Sequence, residues 1–221
     1  MERVLVSWSG GKDSAMALWE ILKGQHYEVA ALVTTVTSDY ERISIHGVRR
    51  ALLKEQANSL GMVLEEVLIP KQATNAQYES SMGAVLSKYH ARGGSSVVFG
   101  DIFLEDLRSY REETLGHLGL QAMFPIWKVE TVELAHRFMD AGFKAITTCV
   151  DTNVLGKEFV GRKYDQDFLQ ELPNGVDACG ENGEFHTFVY DGPIFKEPIR
   201  LSLGEKVLRE GRFYYCDLIE V

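Results

Sequence analysis

The chain has 221 residues, of which 45% are apolar and 25% are charged, the composition of an ordinary globular protein. This length suffices for one large domain, or for one domain with a small partner, around a buried core. The formal net charge is −9, from 23 basic and 32 acidic residues. This charge argues against nucleic acid as a partner, because phosphate binding needs a cationic face.

Targeting and redox signals are few. No apolar stretch is long enough to span a bilayer, and Glu2 and Arg3 lead straight into the first predicted strand. We therefore expect a cytoplasmic protein without membrane contact. Cys149, Cys179 and Cys216 are far apart and form no C-x-x-C pair, which argues against a disulfide framework or a zinc site. We expect reduced thiols, and a sulfur-transfer role for one of them stays open.

The most informative stretch lies near the start of the chain. Val4–Val6 is predicted to be a buried strand, and apolar residues recur at helical spacing over 15–22. Between them stands the hexapeptide Ser9–Ser14, Ser-Gly-Gly-Lys-Asp-Ser, whose glycines permit a tight turn. The turn opens a helix, and a helix N-terminus binds anions such as phosphate. Asp13 either caps this helix or holds a metal ion. The structural alternative is a turn whose glycines serve packing alone.

Strands and helices alternate through the next hundred residues. We predict strands at 28–36, 63–69, 96–99 and 121–127, and helices at 46–60, 75–92 and 107–118. This alternation indicates a Rossmann-like parallel sheet with helices on both faces, whose ligands bind beyond the carboxyl ends of the strands.

The pattern changes near residue 128. A helix at 131–141 and a strand at 144–150 are followed by a short helix within 151–172 and by strands at 188–190, 199–201 and 212–221. We therefore predict an α/β protein with a nucleotide-binding domain at 1–128 and a smaller C-terminal α+β domain at 129–221, which would bind the substrate.

Several polar residues are predicted at the carboxyl-end rim of the parallel sheet. Thr34 ends the second strand, where its backbone either contacts adenine or is ordinary strand. Gly100 and Asp101 follow the fourth strand, and a glycine before a carboxylate suits Mg²⁺ or a nucleotide. Arg111 either stabilises a leaving pyrophosphate or lies on a solvated helix face. His46, at the start of a helix, either contacts the nucleotide or substrate, or is a capping or packing residue of that helix.

A second motif is Gly180–Thr187, with the sequence Gly-Glu-Asn-Gly-Glu-Phe-His-Thr. Its glycines allow a compact loop, and the side chains of Glu181, Glu184 and His186 can converge on one point. Close carboxylates either supply a general base or collect a cation. The alternative is a surface turn that enters the strand beginning at Phe185.

These motifs together resemble the diphthine–ammonia ligase family, which belongs to the PP-loop ATP pyrophosphatases. The hexapeptide matches the Ser-Gly-Gly-x-Asp-Ser loop, and Gly180–Thr187 matches the family's Gly-Glu-x-Gly-Glu-aromatic-His-Thr block. Gly100–Ile102 and Pro125–Trp127 extend the resemblance over nearly the whole chain. It implies a HUP-like, PP-loop version of the predicted parallel sheet. Asn182 departs from the glycine that the family often has there.

The resemblance implies ATP and Mg²⁺ as cofactors, and an acceptor carboxylate such as diphthine on translation elongation factor 2. The carboxylate would be adenylated and ammonia would displace AMP. Asp13 and Asp101 would hold the metal, and Glu181, Glu184 and His186 would act on the acceptor. Together with the rim, the predicted nucleotide-binding residues are Ser9, Gly10, Gly11, Lys12, Asp13, Ser14, Thr34, Gly100, Asp101 and Arg111.

Two other functions stay open. A tRNA-modifying PP-loop enzyme shares the hexapeptide, but the acidic balance and the missing cysteine pairs argue against it. A nucleotide-binding module without turnover is the other. The sequence is also compatible with a homodimer.

Overall fold

A computed structural model describes residues 1–38, 42–43 and 47–221 of the chain. In chain order the elements are β1 (Glu2–Ser7), α1 (Lys12–Lys23), β2 (Tyr27–Thr37), β3 (Arg42–Ile43), α2 (Arg50–Leu60), β4 (Leu64–Ile69), α3 (Asn75–His90), β5 (Gly94–Val98), α4 (Glu105–Gly116), β6 (Gln121–Met123), α5 (Thr131–Asp140), β7 (Lys144–Asp151), a 3-10 turn (Lys157–Phe159), α6 (Gln166–Glu171), β8 (Phe185–Asp191), β9 (Leu201–Arg209) and β10 (Phe213–Glu220). His46, which the sequence singles out, lies outside the described residues.

The chain divides into two compact units. The first consists of Met1–Ser9, Asp13–Ser44 and Gly61–Lys128, and the second of Gly10–Lys12, Ile45–Leu60 and Val129–Val221. Each unit therefore draws on segments that are distant in sequence. The sequence-based division at residue 128 stays a prediction about independent domains.

The first unit contains the predicted parallel sheet. Within the described residues, five parallel strands lie in the order β4-β2-β1-β5-β6, and the two-residue β3 pairs antiparallel with the end of β2. Because β2 and β5 lie on opposite sides of β1, right-handed crossovers put α1 on one face of the sheet and α3 on the other. The α/β fold with a Rossmann-like sheet is confirmed.

One apolar core of the first unit lies on the face covered by α3 and α4. It joins alternate residues of the strands with residues of the two helices: Leu5, Ala31, Val33, Val67, Val97 and Phe99 with Leu86, Tyr89 and Leu115. Successive strand residues point to opposite faces, so Val4 and Val6, both fully buried, face the other layer. This two-sided burial explains why the strands of the sequence are continuous apolar runs.

The second unit is an antiparallel sheet in the order β8-β7-β10-β9. Its core is a chain of aromatic contacts: Phe168 lies edge-on to both Phe159 and Phe185, with ring centroids 5.4 and 5.2 Å apart. Tyr164 joins this cluster to Phe138, 5.7 Å away. This smaller, antiparallel sheet confirms the predicted C-terminal α+β fold.

Several predicted elements differ in extent from the observed ones. The strand predicted at 121–127 ends at Met123, because Pro125 lacks a backbone donor and Trp127 closes a turn on the carbonyl of Phe124. The strand predicted at 199–201 is observed later, as β9 over Leu201–Arg209, and the two share only Leu201. The helix predicted from residue 46 is observed from Arg50. Among the described residues, no helix has the length and apolarity needed to cross a membrane.

Candidate functional site

The hexapeptide forms the turn that the sequence predicts. β1 ends at Ser7 and α1 begins at Lys12, so Ser9–Gly11 is the connection between strand and helix. Gly10 has φ +77°, a left-handed conformation that other residues rarely adopt. The hydroxyl oxygens of Ser9 and Ser14 lie 3.2 Å apart, which brings two polar groups together at the start of the helix.

Gly100 lies directly against the first turn of α1. A Cβ atom at Gly100 would lie 2.6 Å from the carbonyl carbon of Asp13 and 2.8 Å from the nitrogen of Ser14. No side chain fits into this space, because real Cβ atoms do not approach backbone so closely. The two sequence motifs predicted at the sheet rim are therefore brought together within the first unit.

Asp101 and Arg111, both predicted site residues, form an ion pair. Nε of Arg111 lies 2.6 Å from Oδ2 of Asp101, and its Nη2 donates to Oδ1 at 3.1 Å. The guanidinium also lies 4.2 Å from the ring centroid of Phe99. Asp101 is only 9% exposed, so the pair fixes both side chains. A metal ion at Asp101 would have to share this carboxylate with Arg111.

A cavity of about 230 Å³ lies next to this ion pair in the first unit. Its walls are mainly apolar and aromatic, and they include Tyr78, Met82, Phe99 and Arg111 together with Ser7 at the end of β1. Apolar cavities with a few polar groups are the usual form of a small-molecule site. Thr34 is not among the lining residues, and its side chain is buried on the strand next to Val33.

Within the second unit, Gly10–Lys12 contacts the Gly180–Thr187 block. The backbone N–H of Lys12 donates to Oγ1 of Thr187 at 3.1 Å. Two residues further along β8, the N–H of Val189 donates to the carbonyl of Gly10 at 2.9 Å. The two motifs that the sequence singles out are thus in direct contact, although 175 residues separate Lys12 from Thr187.

Gln56 on α2 supports this contact. Its side chain is fully buried, and its amide nitrogen donates to the carbonyls of Gly10 at 3.0 Å and Val189 at 2.6 Å. Sequence reasoning missed Gln56, because a glutamine on a helix is usually a solvated residue. Its burial among leucines appears only once the fold is known.

The side chain of Lys12 points into the second unit. It is only 4% exposed, and its ammonium donates to the carbonyl of Cys179. The ammonium nitrogen also lies 5.4 Å from the ring centroid of Phe185 and 5.7 Å from that of Tyr164. Both distances are within the range of cation–π attraction.

Glu184 holds the loop of the second motif in shape. Its Oε1 accepts from the backbone N–H of Asp177 at 3.1 Å and from the side-chain amide of Asn182 at 3.0 Å. Its Oε2 accepts from the backbone N–H of Asn182 at 3.0 Å. Glu184 is 6% exposed, so these bonds replace its solvation. The catalytic role predicted for Glu184 stays a prediction, and its observed contacts order the loop.

Asp177 is a second loop-ordering carboxylate, which sequence reasoning missed. Its Oδ1 accepts from the N–H groups of Cys179 at 2.9 Å and of Glu181 at 3.1 Å. Its Oδ2 accepts from the hydroxyl of Thr131 at 2.6 Å. The Asp-x-Cys spacing is compatible with this turn, because an aspartate often accepts from the N–H two residues later.

Glu181 and His186 are the predicted site residues of this loop that keep partial exposure. The hydroxyl of Thr148 donates to the carbonyl of His186 at 3.3 Å, which fixes the backbone and not the imidazole. Among the described residues, no group of three or more histidine, cysteine or carboxylate side chains lies close enough to hold a metal ion. Mg²⁺ needs only one or two protein carboxylates beside phosphate oxygens, so the metal stays a prediction at Asp13 and Asp101.

All three cysteines are in the described part of the chain, where they are buried and form no disulfide. Burial raises the pKa of the Cys149 thiol to about 12, and it also raises that of Cys216. A reactive thiol needs a lowered pKa. These two residues therefore do not support the sulfur-transfer alternative.

The family relationship follows from comparison with known proteins. The family described as "Diphthamide synthase N-terminal domain" matches residues 2–122, and "Diphthamide synthase C-terminal domain" matches residues 130–218. The chain belongs to the diphthamide synthase family. The resemblance drawn from the two motifs is thereby confirmed.

Several diphthine–ammonia ligases of animals are similar to this protein over most of both chains. The diphthine–ammonia ligase of Danio rerio is 25% identical over 233 residues, which cover 93% of this chain and 89% of that protein. The diphthine–ammonia ligases of Mus musculus and Homo sapiens are 26% and 25% identical, and each alignment covers 93% of this chain and 85% of the relative.

Proposed function

We propose that this protein is an ATP-dependent ligase that adenylates a carboxylate and converts it into an amide with ammonia. The names of its relatives support diphthine as the acceptor. The observation that carries the proposal is the hydrogen bond from the N–H of Lys12 to Thr187, which joins the loop to the block of Glu181 and His186. A loop that served packing alone would not need this second motif against it.

The residues of the loop fit a polyphosphate. The turn precedes a helix of 12 residues, whose N-terminus attracts anions. Gly10 and Gly100 let the turn and the end of β5 pack closely against their neighbours around the start of α1, and Ser9 and Ser14 add hydroxyl donors. In the proposal, the phosphates are bound by Ser9, Gly10, Gly11, Asp13 and Ser14.

The cavity beside Arg111 offers a place for the adenine base. Its aromatic and apolar walls suit a flat heterocycle, and it lies in the same unit as Asp13 and Ser14. The backbone of Thr34 remains the proposed adenine contact on the strand. Mg²⁺, where bound, would be held by Asp13 and Asp101 and would neutralise phosphate charge.

In the proposal, Glu181 and His186, the partly exposed groups of the second motif, act on the acceptor. A carboxylate or an imidazole at this position can accept a proton as ammonia attacks the activated acyl carbon. Glu184 is also proposed to act on the acceptor, and its bonds to Asp177 and Asn182 fix the loop that carries Glu181 and leads into the strand of His186.

The reaction has two balanced steps. An oxygen of the acceptor carboxylate attacks the α-phosphorus of ATP, and pyrophosphate leaves. Ammonia then attacks the acyl carbon, the bond from that carbon to the AMP oxygen breaks, and the nitrogen loses a proton. The protein contributes by binding the phosphates and by accepting this proton.

Product analysis tests the proposal. The protein is mixed with ATP, ammonium and an elongation factor 2 that carries diphthine, and nucleotides are separated by chromatography. We expect AMP and pyrophosphate in equal amounts and one amide per AMP. ADP and orthophosphate as the products would contradict the proposal, and so would unchanged ATP in the presence of every acceptor.

A further inference from the structure

Lys12 occupies the variable position of the Ser-Gly-Gly-x-Asp-Ser loop, where a lysine suggests a phosphate ligand. Its surroundings in the second unit are different. The ammonium donates to the carbonyl of Cys179 and lies near the rings of Phe185 and Tyr164, and the residue is 4% exposed. A buried ammonium is stable only when such partners replace its water.

The backbone next to the carbonyl that receives Lys12 is itself held in place. The N–H of Cys179 is bound by Oδ1 of Asp177, which also binds the N–H of Glu181. The hydroxyl of Tyr164 donates to the neighbouring carbonyl of Ala178 at 2.7 Å. An unbroken chain of contacts thus runs from Lys12 through Cys179 and Asp177 to Glu181.

We infer that Lys12 is a positioning residue, which fixes the Glu181 loop against the Gly10–Gly11 turn, and that it does not bind the phosphates of the nucleotide. Asp177 acts in the same chain, because its carboxylate binds the N–H of the residue whose carbonyl receives the ammonium. The role in amide formation rests on the proposed function. The placement of the ammonium does not, so the two can fail separately.

The first experiment uses the unaltered protein. Reductive methylation with formaldehyde, read by mass spectrometry, measures how accessible each lysine is, with and without ATP. Lys23 is the matched control, since it lies at the other end of the same helix with its side chain 44% exposed. We expect slow labelling of Lys12 and fast labelling of Lys23 in both conditions. Labelling of Lys12 as fast as that of Lys23 without ATP would overturn the inference, whether or not ATP then protects it.

The second experiment compares Lys12→Met with Lys23→Met. We expect Lys12→Met to change the Kd for ATP, measured by calorimetry, by no more than about threefold, because ground-state phosphate contacts are kept. Amide formation should fall about 10- to 100-fold at saturating ATP, as for a misplaced reacting group. If Lys12 were a phosphate ligand, its replacement would instead weaken ATP binding about 10- to 100-fold. Weaker binding of ATP by this variant, with AMP binding unchanged, would overturn the inference. If the variant fails to fold, the methylation experiment on the unaltered protein decides.

A double-mutant cycle tests the link to Asp177. Asp177→Asn should lower amide formation as Lys12→Met does, and the double variant should be little worse than either, because both break one chain. Asp167→Asn, an exposed aspartate on α6, is the control and should leave the rate unchanged. Additive effects of the two substitutions would contradict the chain of contacts.

Discussion

Gly100 is the residue at which the geometry of the loop is easiest to test. Gly100→Ala places a Cβ 2.6 Å from the backbone of Asp13, so the start of α1 must move. We expect a loss of about 1–3 kcal/mol in the free energy of unfolding, the usual cost of overpacking, and a weaker affinity for ATP by calorimetry.

Gly116→Ala is the matched control for this substitution. Outside its own helix backbone and its two chain neighbours, no atom of the described residues lies within 4 Å of the added Cβ at the end of α4. Urea unfolding should therefore give an unchanged or slightly higher stability, because alanine favours a helix over glycine. Equal behaviour of the two variants would contradict the close contact at Gly100.

Asp13 tests the proposed role of the loop in the reaction. We expect Asp13→Ala to lower pyrophosphate release by about 100-fold or more, the usual effect of removing one electrostatic contact to a transition state. The residue is partly exposed at the start of α1, so the fold should persist with less than about 1 kcal/mol lost from the helix dipole interaction. Circular dichroism and a pyrophosphate assay on the same sample separate the two effects. An unchanged rate would remove Asp13 from the site.

Asp151 links stability to pH in the second unit. Hydrogen bonds from Arg212, at 2.9 and 2.5 Å, lower the pKa of this buried carboxyl. A lowered pKa stabilises the fold above the ordinary value of about 4, and this stabilisation is lost as the pH falls through the lower value of the folded state. We expect the free energy of unfolding to drop in acid, and Asp151→Asn to flatten that drop in urea titrations between pH 2 and 5. Parallel curves for the two proteins would contradict this assignment.

At the level of residues, the sequence predicts the groups whose type reveals their task. Glycines in a strand-to-helix turn and carboxylates after a strand are such groups, and the structure brings Gly100 and Asp13 together. Gln56 and Asp177 could not be predicted, because their roles depend on backbone atoms of distant segments. Lys12 shows the same limit, since its type suggests phosphate and its surroundings suggest a structural anchor.

At the level of elements, buried strands are predicted well and exposed ones poorly. β9 is nine residues long, but only its first residue, Leu201, is predicted, since most of its side chains are exposed and carry no clear alternation. It is a strand in spite of this because it pairs with β10, from Arg209 opposite Phe213 to Leu201 opposite Glu220. Tertiary pairing, and not local preference, decides such a segment.

The turn between β9 and β10 gives a prediction at this scale. Glu210 and Gly211 both have positive φ, 52° and 64°, as in the tight turns that suit hairpins. Asparagine tolerates this conformation better than glutamate, so Glu210→Asn should raise the free energy of unfolding by about 0.5–1 kcal/mol.

Glu205→Asn, in the exposed middle of β9, is the control for the turn variant. Asparagine is unfavourable in strands, so this change should be neutral or destabilising in urea unfolding. A lower stability of Glu210→Asn than of Glu205→Asn would contradict the turn geometry.

At the level of the whole molecule, the class of each sheet follows from the order of elements, but the membership of the units does not. Gly10–Lys12 and Ile45–Leu60 group with the C-terminal part of the chain. This grouping rests on contacts such as those of Gln56 and Thr187, which no local pattern contains. Hydrophobic periodicity does not relate the two motifs to each other, whereas their joint resemblance to one family does.

The central claim is that the acceptor carboxylate is activated at the α-phosphorus of ATP. Labelling the acceptor carboxylate of diphthine with ¹⁸O tests it most directly, because adenylation followed by attack of ammonia leaves one carboxylate oxygen on AMP. Mass spectrometry should find one ¹⁸O in each AMP that accompanies an amide, and none in pyrophosphate. Appearance of the label in orthophosphate beside ADP, or its absence from AMP while amide forms, would contradict the account.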